Sequence, residues 1–167
     1  LQTAHLDRYF TSAEGVIDEV RADEKAWKKL LGSPRDAATA ITEMMRRAYR
    51  RPPTHTETKE IIARYEAELE KKKSQDEALA NAFKAILVSP NFLLRVENSI
   101  ATAKDQGVSD FDLATRLSYF LWASTPDDEL LDAAAAGKLS DSADREAQVE
   151  RMLADPRSLC LLYTSPS

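Results

Sequence analysis

The sequence predicts an all-α array of about eight short helices, and three observations carry that prediction. Helix formers dominate, with 25 Ala and 19 Leu against 12 Val plus Ile, the reverse of the balance a sheet protein shows. Apolar residues recur at spacings of three and four. Residues that start and stop helices punctuate the chain at short intervals.

Leu6, Phe10, Ala13, Ile17 and Val20 form the first amphipathic stripe, and Trp27, Leu30 and Leu31 continue it briefly. Gly32 supplies a left-handed stop, and Ser33-Pro34 is expected to cap the next helix, with Asp36 in its first turn. That helix carries Ala37, Ala38, Ile41, Met44, Met45 and Ala48 and must end near Arg50-Arg51, because Pro52-Pro53 cannot continue it. Thr54 with Glu57 fits a capping box that opens a helix bearing Ile61, Ile62, Tyr65 and Leu69. The run Lys71-Lys72-Lys73 closes it, where cations favour the helix dipole.

Ser74 with Glu77 repeats the box ahead of Leu79, Phe83, Ile86 and Leu87, until Ser89-Pro90 interrupts the pattern. Phe92, Leu93, Val96 and Ile100 form a further apolar face. The polar stretch from Ala103 to Ser109 is read as a module junction. Beyond it, Ser109 with Asp112 caps a helix in which Leu113, Leu117, Phe120 and Leu121 are expected to be mostly buried. Thr125-Pro126 restarts the chain as cap and first-turn proline, followed by acids at the positive end of the helix. Gly137 stops that helix; Ser142 starts the last one, with Val149, Met152 and Leu153 as its core face and Asp155-Pro156 as its end.

Composition excludes several kinds of chemistry. The four glycines, at 15, 32, 107 and 137, are too dispersed for a phosphate-cradling loop. One cysteine, Cys160, forms neither a disulfide framework nor an attached haem by itself. The net charge of −5 argues against nucleic acid as a partner. Charge is uneven, however: residues 1–75 carry 15 basic against 13 acidic side chains, and residues 76–167 carry 8 against 15. No run reaches the length of a membrane span, and the amino end carries no export signal.

Few side chains are candidates for a site. His5 and His55 lack ligand spacing and read as surface residues. Arg46, Arg47, Arg50 and Arg51 make the one basic cluster, read either as an anion site or as cations serving a helix C-terminus and pairing with Glu43 or a carboxylate of a neighbouring helix. Asp127, Asp128, Glu129 and Asp132 lack the alternating oxygen pattern of a calcium loop and fit helix-start electrostatics. Arg95 and Glu97 lie in an apolar segment and are expected to form buried pairs, with Arg116 a candidate for the same role. Trp27 and Trp122 read as core or interface anchors. The candidate structural or anion-binding residues are therefore Arg50, Arg51, Arg95, Glu97 and Arg116. No catalytic or metal-ligating set is assigned.

Five blocks, in order, carry a family resemblance: Ala48-Tyr49-Arg50-Arg51-Pro52; Ala85 through Ser89-Pro90-Asn91-Phe92 to Glu97; Leu113 to Trp122; Pro126-Asp127-Asp128-Glu129-Leu130; and Arg151 to Arg157. They resemble the planctomycete-type secreted cytochrome-like proteins, in the domains of unknown function fifteen-ninety-five (about 33–100) and fifteen-ninety-two (from about 109). Residues 1–32 resemble the tail of a preceding helical domain. The organisation expected is a first domain over 33–103 and the beginning of a second over 109–159.

The resemblance implies a multi-domain exported protein, periplasmic or extracellular, whose c-type haem would lie elsewhere in the polypeptide. No cofactor is expected in this segment, and the other domains of the same polypeptide are its expected partners. Two functions follow as expectations: a helical interaction and scaffold segment or, alternatively, part of a multi-domain redox enzyme acting on polysaccharide-derived substrates. Residues 160–167 resemble one reading frame of a sequencing adapter joined to a DNA fragment and are expected to be foreign to the natural protein.

Overall fold

The computed structural model describes residues 3–32 (side chains from residue 7), 36–94 and 108–158. Among these the fold is all-α, with no strand and eight α-helices of eight residues or more. Residues 103–107 of the expected junction, together with Arg95, Val96, Glu97, Ile100 and Cys160, lie outside the described residues. No helix among the described residues is long and apolar enough to cross a membrane. The chain divides into two compact units, Leu1–Arg95 and Val96–Ser167.

The first unit contains α1 (Thr3–Ala22), α2 (Glu24–Leu31), α3 (Ala37–Tyr49), α4 (His55–Glu70), α5 (Gln75–Leu87) and the single turn α6 (Pro90–Leu93). α5 is its axis and packs on α1, α3 and α4. Three small residues on α5, Ala78, Ala80 and Ala82, are all but fully buried and let neighbouring backbones approach. Phe83 and Ile86, fully buried, meet Ile41 and Met45 of α3 and Ile17 of α1 in one core. Trp27 joins it with its ring 5.7 Å from that of Phe83, and its indole N–H points at Asp76 Oδ1, 3.4 Å away.

Both expected capping boxes form: Thr54 and Ser74 accept from the backbone of Glu57 and Glu77, which reach back to the cap N–H. The lysine run does more than serve a dipole. Lys71 and Lys73 both pair with Glu68, which also accepts from Asn81 Nδ2 at 2.7 Å.

The second unit contains α7 (Asp110–Trp122), α8 (Asp128–Ala135), a 3-10 turn over Lys138–Ser140 and α9 (Ser142–Ala154). Its core gathers Ala114, Trp122, Leu130, Leu139 and Met152. Gly137, at φ 69°, takes the left-handed conformation that follows α8. Asp110 ties the start of α7 to the 3-10 turn by accepting from Leu139 N at 2.9 Å.

Two expected caps are corrected. α3 is capped by Asp36, and α8 by Asp127 and not Thr125, while α9 starts at Ser142 as expected, with Asp141 as its cap. In each case a carboxylate was available to accept the orphan N–H groups and also to oppose the helix dipole. Two expected core residues are also corrected: Phe120 is 78% exposed and Leu153 53% exposed. α7 instead buries Ala114, Thr115, Ser118 and Trp122. The two hydroxyls are tolerated because each donates back into its own helix, Thr115 to Phe111 O and Ser118 to Thr115 O.

Candidate functional site

The five signature blocks converge on two corners, one in each unit. In the first, α3 ends at the buried Tyr49, and Arg50 follows with φ 58°. That left-handed residue turns the chain so that the Arg50 side chain, only 9% exposed, donates to Asn91 O at 3.0 Å and to Phe92 O at 3.3 Å. These are late carbonyls of the one-turn helix α6, and Arg50 supplies donors that the short helix cannot.

Arg51 points the other way, forking onto Glu57 with Nη2 to Oε1 at 2.7 Å and Nη1 to Oε2 at 3.0 Å. Its guanidinium stands 5.7 Å from the Tyr49 ring centroid. Glu57 also accepts from Thr54 N at 2.7 Å and from Asn91 Nδ2 at 2.9 Å. The Arg51 fork and, after it, the Thr54 N–H hold the Glu57 carboxyl at a pKa of about 2, against burial, which opposes the shift.

Arg50 and Arg51 close a turn onto carbonyls and a carboxylate of their own unit. Arg46 Nη1 lies 3.8 Å from Glu43, the partner named from the sequence. Arg116 is exposed on α7, so its expected burial is corrected: it shares with Tyr119 and Phe120 the face opposite Ala114 and Ser118. Arg95 and Glu97 lie outside the described residues. His55 is exposed at the first position of α4. Among the described residues no group of three His, Cys, Asp or Glu side chains could hold a metal ion.

The second corner was not anticipated. Trp122 ends α7 with its indole N–H donating to Met152 O at 2.9 Å, a buried bond between α7 and α9. Arg157 stacks on the Trp122 ring at 3.6 Å and Arg151 lies 5.6 Å from the same centroid. Arg151 forks onto Asp127, the cap of α8, at 2.8 and 3.1 Å, and reaches Glu129 at 3.0 Å. Arg157 grips Asp155 at 2.7 Å and stands 3.5 Å from Asp127.

Burial would raise the Asp127 carboxyl, but hydrogen bonds from Arg151 and Leu130 N and the charges of Arg151 and Arg157 together lower it. Hydrogen bonds from the Arg157 side chain and backbone hold Asp155 at about 2. Trp122 at a helix end and the blocks at 126–130 and 151–157 were visible in the sequence, but the 24 residues from Asp127 to Arg151 hid their pairing.

Residues 36–97 match the family described as PSD5, protein of unknown function (DUF1595), and residues 108–163 match PSD4, protein of unknown function (DUF1592). The matches fall where the signature blocks placed them. No curated protein and no solved structure matches the chain. The first corner lies within the first match and the second within the other, so the chain is similar, in that order, to the DUF1595 and DUF1592 families over these two stretches.

Proposed function

We propose that this chain is a non-catalytic helical packing segment of a larger exported polypeptide, holding other domains of that polypeptide in place. One observation supports the reading: the arginines and carboxylates of the signature blocks satisfy one another and the helix ends beside them. A side chain committed in this way stabilises a corner and is not free to move a proton or grip a substrate. Export and a c-type haem in another part of the polypeptide belong to the same proposal and rest on the resemblance of the blocks.

The test is a pair of measurements in the complete polypeptide. Arg51→Met should lower the melting temperature, and whatever redox turnover that polypeptide shows should persist per folded molecule well below melting. Unchanged melting with lost turnover would overturn the proposal in favour of the redox-enzyme alternative. The full-length gene should also encode a signal peptide and a Cys-x-x-Cys-His haem block; a haem-free cytosolic chain would remove the exported setting.

A further inference from the structure

The second corner holds one of its two guanidinium groups loosely. The turn after α9, residues 155–158, fastens to its own neighbourhood: Ser158 Oγ lies 2.8 Å from both Leu153 O and Asp155 O, and Arg157 N donates to Asp155 Oδ1 at 2.9 Å. Towards α7 and α8 it sends the Arg157 side chain, 3.6 Å over the Trp122 ring and 3.5 Å from Asp127. Trp122 is 5% exposed, whereas the Arg157 side chain above it is 42% exposed. Arg151 sits deeper and is bound by Asp127, Glu129 and Gln148. The Arg157 guanidinium is thus an outer layer on an aromatic face, with the carboxylates of Asp155 and Asp127 at its edge.

A guanidinium stacked on an indole with carboxylates at its edge is a complete arginine site, and the chain's own Arg157 shows what fits it. Two features make that occupant exchangeable. Its ion pairs lie at the surface, where one such contact shifts an equilibrium only about fivefold. The bonds that fix the turn run through its backbone and Ser158, not through the guanidinium. The surroundings select a cation as the replacement: without Arg157, the carboxylates of Asp127, Asp155 and Glu129 share one positive neighbour, Arg151. Residues 108–158 as a whole carry 11 acidic side chains against 5 basic, which attracts a basic segment. We propose that the Trp122 face is an arginine-binding site, occupied in the free chain by Arg157, and that an arginine side chain of a peptide segment from another domain or chain takes its place. The corner stays satisfied in both states, because one guanidinium replaces another. This exchange does not depend on the packing role, being a property of the corner alone.

The probe is an end-blocked Gly-Arg-Gly peptide, titrated into the whole chain labelled with nitrogen-15 and followed at the Trp122 indole N–H, which Trp27→Phe tells apart from the other indole. Arg157→Ala empties the site and should bind the peptide saturably. Arg157→Lys, whose compact ammonium stacks less well, should bind it less tightly. The parent should bind at least about tenfold more weakly than Arg157→Ala, because its own arginine competes. In the Arg157→Ala chain, Asp155→Asn should weaken binding about fivefold, and citrulline in place of the peptide's arginine, which keeps the shape without the charge, should abolish it. If Arg157→Ala does not fold, Arg157→Lys against the parent carries the same test. No saturable shift in either variant up to about 20 mM peptide, equal affinity in the parent and both variants, or equal binding of the citrulline peptide would each overturn the proposal.

Discussion

The two corners solve the same backbone problem with cations drawn from different places. α3 and α7 each have 13 residues and bury positions at the same spacing, Ile41, Met45 and Tyr49 in one and Ala114, Ser118 and Trp122 in the other. Each ends on its aromatic residue, is followed by a non-glycine residue with positive φ (Arg50 at 58°, Ala123 at 50°), and reaches the next N-cap, Thr54 or Asp127, directly after a proline. In the first unit the gripping arginine is part of the turn, six residues from its carboxylate. In the second it arrives on α9, 24 residues beyond the acid it holds. A corner closed by its own residues forms with the turn; one closed by a distant helix forms only when that helix docks.

The largest expected effect breaks the distant closure. Trp122→Ala removes a side chain that is 5% exposed, the bond to Met152 O and the platform under two arginines. It should cost about 3–5 kcal/mol, the range for truncating a large buried aromatic. Denaturant titration should show that loss, and amide exchange should show α9 losing protection together with α8. If α9 alone loosens, the second corner is not a single closure.

The next effect reads the first corner through its own carboxylate. Glu57 has a folded pKa of about 2 against an ordinary 4.5. Its contribution is therefore complete above about pH 4.5 and is lost as pH falls towards 2, because the unfolded chain takes up the proton first. The Arg51 and Glu57 side chains are 34% and 21% exposed, so solvent screening limits the contribution to about 1–2 kcal/mol. Glu57→Gln should lower stability at pH 7 by about that amount and flatten the dependence between pH 4.5 and 2. An unchanged slope in acid denaturation of the variant would show that Arg51 does not hold Glu57 in solution.

What the sequence disclosed depended on how local each interaction is. The Thr54/Glu57 and Ser74/Glu77 boxes were legible because both partners lie within one turn. Asp36 and Asp127 were passed over as caps for nearby hydroxyl residues, since a side chain's identity does not reveal which of several adjacent acceptors faces the first turn. Hydrophobicity likewise misled on α7: Phe120 outranks Ala114 and Ser118 on any apolar scale, yet small residues take the buried face because they admit α8 and α9 closely. The arginine cluster was visible as a cluster, but the partners of Arg50 lie 41 and 42 residues away and only the folded chain brings them together.

The smallest effect tests whether the corners are equivalent where they look most alike. A left-handed backbone costs a non-glycine residue roughly 1–2 kcal/mol, and glycine relieves this while losing roughly 0.5–1 kcal/mol through its greater freedom when unfolded. Ala123 is exposed and contributes only its backbone N–H to Tyr119 O, so Ala123→Gly should raise stability by about 0.5 kcal/mol. Arg50→Gly gains the same relief but leaves the Asn91 and Phe92 carbonyls without their charged donor, worth about 1.5–3 kcal/mol, and should lower stability by about 1–2 kcal/mol. Opposite signs for one substitution at matched positions, read from denaturation midpoints, would show that the shared turn is a backbone solution and the arginine a separate addition to it. A loss at both would mean that Ala123 does more at the second corner than turn the chain.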